Sequence, residues 1–74
     1  MRTPARQPLV SQTELQILQS LARGNQSKEI AGELDRSRAT VEFYIRMLYA
    51  KLRARSRAHL VARAYETGLI QVPS

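Results

Sequence analysis

The chain contains no cysteine and a single histidine, His59. Disulfides therefore cannot hold it together, and there is no Cys/His cluster to bind a structural zinc. It also lacks an apolar run long enough to span a bilayer. The opening "MRTPARQP" is basic but has no hydrophobic core behind it, so it does not read as a secretion signal. An intracellular, cytoplasmic protein is the expectation. No nucleophile–base pair, no glycine-rich phosphate loop after a strand and no metal-ligand set can be found, so an enzyme is not expected, and no cofactor is implied. At 74 residues the chain is one domain near the lower size limit for folding alone. A helical core, with or without a partner subunit, must supply its stability.

The chain does carry concentrated positive charge. Its net charge is +6, and residues 36–57 alone sum to +6: Arg36, Arg38, Arg46, Lys51, Arg53, Arg55 and Arg57 against Glu42. Residues 1–8 sum to +2 and residues 9–35 to −2, and Arg63 and Glu66 cancel in the remainder. A basic stripe confined to one element is the electrostatic footprint of a polyanion binder. The plainer alternative is a solvated basic face with no partner.

Proline at positions 4 and 8 and the lack of periodicity mark residues 1–8 as a flexible basic arm, with a folded domain expected over 9–72. "SQTE" is a capping box, with Ser11 as N-cap and Glu14 reaching back. Leu15, Ile17, Leu18, Leu21 and Ala22 share one side of the helix that follows, and Gly24 stops it. "QSKEIAGELD" predicts a short second helix with Ile30, Ala31 and Leu34 inward, weakened by Gly32 by roughly 1 kcal/mol relative to alanine. Ser37 caps a third helix, "RATVEFYIRMLYAKLRA", in which Val41, Ile45, Leu48 and Leu52 fall within about 60° of arc. Ser56 caps a fourth, with Leu60, Val61 and Ala64 inward. Gly68 ends it, and Leu69 and Ile70 fold back over the end. The expected fold is all-α, with four helices and short connections.

Two short helices joined by a tight turn, the second longer and basic, describe a helix-turn-helix. Ala31 lets the pair cross closely, Val41 plugs the angle between them, and Asp35 suits a left-handed turn residue. A helical bundle with a chance turn is the alternative.

At this point a resemblance covers nearly the whole chain. "VSQTELQILQSLARGNQSKEIAGEL", with "ARG…SKEIA" at 22–31, "S..TV" at 37–41 and "KL…SR…GLI" over 51–70, resembles the LuxR/GerE-type DNA-binding domain. The resemblance implies a four-helix domain whose third helix enters the major groove and whose fourth dimerises, acting on transcription at palindromic sites. The short upstream segment also resembles the stand-alone, GerE-like members. The family favours Lys where Glu42 stands, His at Tyr44, an aliphatic residue at Arg36 and often Gly at Arg53.

With Val41 at 0°, Ala39, Glu42, Phe43, Arg46, Ala50 and Arg53 project at about 100–200°, opposite the core stripe. Positions matching Glu42, Phe43 and Arg46 face the groove in the family, so these three are the expected base readers. Glu42 suits a cytosine amino group, Phe43 a thymine methyl and Arg46 a guanine edge. Glu42 has a plainer reading as an ion-pair partner of Arg38 or Arg46, and Phe43 as a packing residue. Lys28, Ser37, Arg38, Thr40 and Lys51 are the expected phosphate contacts. Ala58, His59, Ala62, Tyr65 and Glu66 lie away from the core on the fourth helix, and the resemblance makes them the dimer face. The expected partners are double-stranded DNA, a second copy of the chain, and RNA polymerase or another LuxR-type regulator, with no membrane. A competing expectation is an antagonist that heterodimerises with, or masks, a full-length regulator of the same family.

Overall fold

The computed structural model describes residues 10–71. The expected arm at 1–8 lies outside the described residues, as do positions 9 and 72 at the edges of the expected domain. Four helices follow in order: α1 (Gln12–Ala22), α2 (Ser27–Leu34), α3 (Arg38–Leu52) and α4 (Arg57–Glu66). No strand occurs among the described residues, and no helix is long and apolar enough to cross a membrane.

Every helix is punctuated by its own sequence. Ser11, Ser37 and Ser56 each sit in extended backbone and accept the N–H three residues on, which satisfies a donor that the helix start leaves unpaired. At α1 the reciprocal bond is present too: Glu14 Oε1 accepts the Ser11 N–H at 2.8 Å. At α2 the Glu29 carboxylate likewise accepts the Gln26 N–H at 2.7 Å.

The four C-termini share one device, the paired 6→1 and 5→2 backbone bonds around a left-handed residue. Those residues are Gly24 (φ 93°), Asp35 (φ 54°), Arg53 (φ 55°) and Gly68 (φ 79°). The closing bonds run from Asn25 to Ser20, Arg36 to Ala31, Ala54 to Tyr49 and Leu69 to Ala64. α3 therefore ends one residue before Arg53. That residue does not continue the solvent face of the helix, as helical spacing had placed it, but turns the chain toward α4.

α3 is the central element and packs against all three others. Val41, Ile45, Leu48 and Leu52 are all buried, as their spacing predicts, against Ile17, Leu18 and Leu21 of α1, Ile30 and Ala31 of α2, and Leu60 and Ala64 of α4. Ile70 folds back into this core and Leu69 packs on its edge. Val61 was expected inward, but it is only half-buried, at the margin of the α4 stripe.

Two positions leave stability unused. Gly32 is exposed mid-helix, and a Cβ added there would meet no atom within 4 Å. Gly32→Ala should stabilise the domain by roughly 1 kcal/mol, since alanine loses less backbone entropy in a helix. Arg53→Gly should add about 1 kcal/mol by relieving a left-handed conformation that opposes any Cβ. In a domain of this size each gain raises the melting temperature by roughly 4–8 °C, which thermal unfolding followed by circular dichroism would read.

Candidate nucleic-acid interface

α2 and α3 meet across a three-residue turn, Asp35–Ser37, in which Asp35 takes the left-handed conformation that the sequence suggests. Ala31 is buried at the crossing and Val41 is fully buried beneath the angle. With one face of α3 consumed by the core, the opposite face is left to solvent. Ala39, Phe43, Arg46, Met47 and Ala50 are exposed and Glu42 is half-buried. The three expected base readers therefore share one open face. Phe43 and Met47 stand out, at 51% and 41% exposure, as the large apolar side chains left in water among the described residues.

Local contacts shape this face. Arg38 Nε donates to Glu42 Oε2 at 3.1 Å, one helical turn away, so the ion pair weighed for Glu42 is formed. Because the bond uses Nε, it leaves the protons of both terminal amino groups for other acceptors. Two half-exposed charges bound this way contribute only a few tenths of a kcal/mol, so the bond orients Arg38 more than it stabilises α3. Phe43 meets the Tyr44 ring edge-on at 6.0 Å, and the Arg36 guanidinium lies 5.9 Å from the Tyr44 ring centre. Tyr44 is thus held between its neighbours at the edge of the face.

Beside the α3 face an open groove of about 450 Å³ runs between the starts of α2, α3 and α4. Lys28, Arg38 and Arg57 line it, with Gln26, Ser27 and Glu42. Three cations from three helices converge there. Arg57 was not among the expected phosphate contacts. Its guanidinium donates to the Asn25 carbonyl at 3.4 Å, which ties the start of α4 to the turn before α2. The Asn25 side chain in turn bonds Ser20 Oγ at 2.9 Å and Glu33 Oε2 at 3.1 Å, and Ser20 donates to Glu33 Oε1 at 2.8 Å. This small network fixes the turn from which the groove is built. The clue for Arg57 in the sequence was only its place in the basic segment, immediately after the Ser56 cap.

Two of the expected phosphate contacts have other uses. Lys51 Nζ is bound to both oxygens of Glu14, at 2.8 and 2.9 Å, and Glu14 is only 3% exposed. The Lys51 charge joins α3 to α1. Ser37 accepts the Thr40 N–H at 3.0 Å and donates its own proton to Thr40 Oγ1 at 2.9 Å. Thr40 is the acceptor in that bond and keeps its proton for an outside acceptor; Ser37 does not.

Glu14 was expected only to cap α1. Burial pushes its carboxyl up, but hydrogen bonds from Lys51 and from the Ser11 backbone, together with the ammonium charge, outweigh this and hold it below its ordinary value.

On α4, Ala58, Ala62 and Glu66 are exposed, and His59 and Tyr65 are half-buried. His59 Nδ1 accepts the Arg55 N–H at 3.0 Å and Glu66 accepts from Arg63 at 2.9 Å. The two alanines form a shallow strip one turn apart between these polar groups.

A tight pair of helices with the second presented bare-faced amid cations is the form of a helix-turn-helix that binds DNA. The chain belongs to the LuxR family of DNA-binding transcription regulators: residues 8–64 match the family described as "Bacterial regulatory proteins, luxR family". It is 37% identical over 63 residues to the transcriptional activator protein ExaE of Pseudomonas putida. That match takes in 85% of this chain and 29% of ExaE, so the chain spans less than a third of its relative's length.

Proposed function

We propose that the domain reads a specific DNA sequence in the major groove as a homodimer. Glu42, Phe43 and Arg46 meet base edges. Lys28, Arg38, Thr40 and Arg57 hold phosphates, and Ala58, His59, Ala62, Tyr65 and Glu66 meet a second copy. The observation that carries this reading is the open face of α3, which lies in the +6 segment beside a groove lined by cations from three helices. Phosphates positioned by that groove would set the register in which α3 presents its side chains to the bases. Such a reader works on the nucleoid in the cytoplasm. The likeness to an activator extends the reading to recruitment of RNA polymerase.

The test is selection from a randomised duplex pool near physiological salt, followed by rebinding of the enriched sequences at higher salt. An enriched palindrome bound with a steep salt slope, nearly one log–log unit per phosphate, is the expected result. No enrichment by demonstrably folded protein would sink the reading. It would favour an antagonist that masks another regulator of the family, a role suited to a carboxylate at position 42.

The dimer face has its own expected result. Ala62→Glu should weaken binding to the palindrome by about tenfold, ~1.4 kcal/mol, by setting like charges against each other across the two-fold axis. Binding to an isolated half-site should not change. Gel-shift titrations on the two duplexes would read both.

A further inference from the structure

Phe43 and Met47 stand one helical turn apart on α3, both exposed, and Arg46 lies beside Phe43 on the same open face. Two large apolar side chains adjoining on one open face are a use of helix surface that suits a contact with another molecule. The surroundings say what kind of surface it contacts. The segment that carries the pair has a net charge of +6. A purely apolar protein partner would have to desolvate those cations, whereas a DNA groove supplies phosphates to them at its rims. Inside the major groove the apolar element of the base code is the 5-methyl group of thymine.

We propose that Met47 is a further specificity-determining residue, forming with Phe43 a two-residue apolar reader of thymine methyl groups. This rests on the DNA-reading function above and deepens it. The two side chains are about 6 Å apart along the helix axis, and successive base pairs are about 3.4 Å apart along the duplex. The pair therefore spans two neighbouring thymines one or two base pairs apart, beside the guanine that Arg46 would take. Methionine suits such a contact: its unbranched, polarisable chain can settle against a methyl whose exact place varies with local DNA shape.

The experiment is a chemical double-mutant cycle on the selected duplex. Each thymine is replaced in turn by deoxyuridine, which deletes only the 5-methyl group and leaves base pairing intact. Wild-type affinity should fall about fourfold at each contacted position, the worth of one buried carbon. Met47→Ala should lose a similar factor and then become insensitive to deoxyuridine at one position while staying sensitive at the other. Phe43→Ala should show the opposite pattern, and Met47→Leu should restore the methyl sensitivity. Circular dichroism of each variant should match the wild type, since neither side chain belongs to the core. A selected site bound with a steep salt slope but indifferent to every methyl would overturn the apolar reader and leave the DNA-binding function standing. Methyl and Met47 effects that simply add would overturn it as well. If no site is selected at all, the underlying function fails, and the patch is then to be sought in a protein interface.

Discussion

Replacing Lys51 with alanine should destabilise the domain by about 3 kcal/mol at neutral pH, the largest loss expected from any single exposed-looking residue. Removing one partner of a buried ion pair strands the other charge, which typically costs roughly 3–5 kcal/mol. The lower end applies because the Lys51 side chain is itself a third exposed, 34% against 4% for Glu14. For a chain this short, total stability is about 4–11 kcal/mol, so the variant should be near the edge of folding at body temperature. Denaturant titration reads the loss directly.

The pH dependence should identify the mechanism. The folded pKa of Glu14 lies below its ordinary value of 4.5. Its bonds thus stabilise the wild type fully above about pH 4.5 and lose that contribution as pH falls through the lowered folded value. In Lys51→Ala the carboxyl has lost its cation and protonates more readily, so the gap between the two proteins should narrow under acid conditions. A constant gap from neutral to acid pH would instead assign the loss to side-chain packing. The double variant Glu14→Gln, Lys51→Met should recover much of the stability, because no charge is then left buried.

The second large effect concerns binding. Arg46→Ala should cost roughly 1–3 kcal/mol on the preferred duplex, about 5- to 150-fold, and should relax the preference at a single base pair. The reason is the bidentate match between guanidinium and the O6 and N7 of guanine, which the other bases lack. Arg38→Ala or Lys28→Ala should behave differently, weakening all sequences alike and lowering the salt slope by about one unit. Repeating the selection with each variant separates the cases. If Arg46→Ala weakens every sequence equally, Arg46 is one more phosphate contact.

Local features of this fold were legible in the sequence because their causes are local. A serine followed three residues later by its partner N–H, or an apolar stripe at helical spacing, needs no knowledge of the rest of the chain. Ser11, Ser37, Ser56 and the Val41–Leu52 stripe all behave as read. The ion pair Arg38–Glu42 was also visible as a one-turn option, though not which arginine would take it. What escaped depends on how the helices cross. Glu14 and Lys51 are 37 residues apart and meet only because α1 lies against the end of α3. Arg57 reaches the groove, and Ser20 reaches Glu33, for the same reason. Arg53 is an intermediate case. Arginine has no affinity for left-handed backbone, and the glycine that the LuxR/GerE resemblance implies at that position was its one outward sign.

The repeated stop device, with turns of only three or four residues between helices, also bears on how fast the chain folds. Each helix is started and stopped by atoms within a few residues of its ends, so the helices themselves form through short-range closures. Chains built this way fold in microseconds to milliseconds. The Glu14–Lys51 bond, like the Arg57–Asn25 bond, closes a long segment, and it completes only when α1 has docked on α3. Lys51→Ala should therefore speed unfolding while leaving the refolding rate nearly unchanged. The domain assembles by its punctuation, and the bond between α1 and α3 closes late, like a bolt.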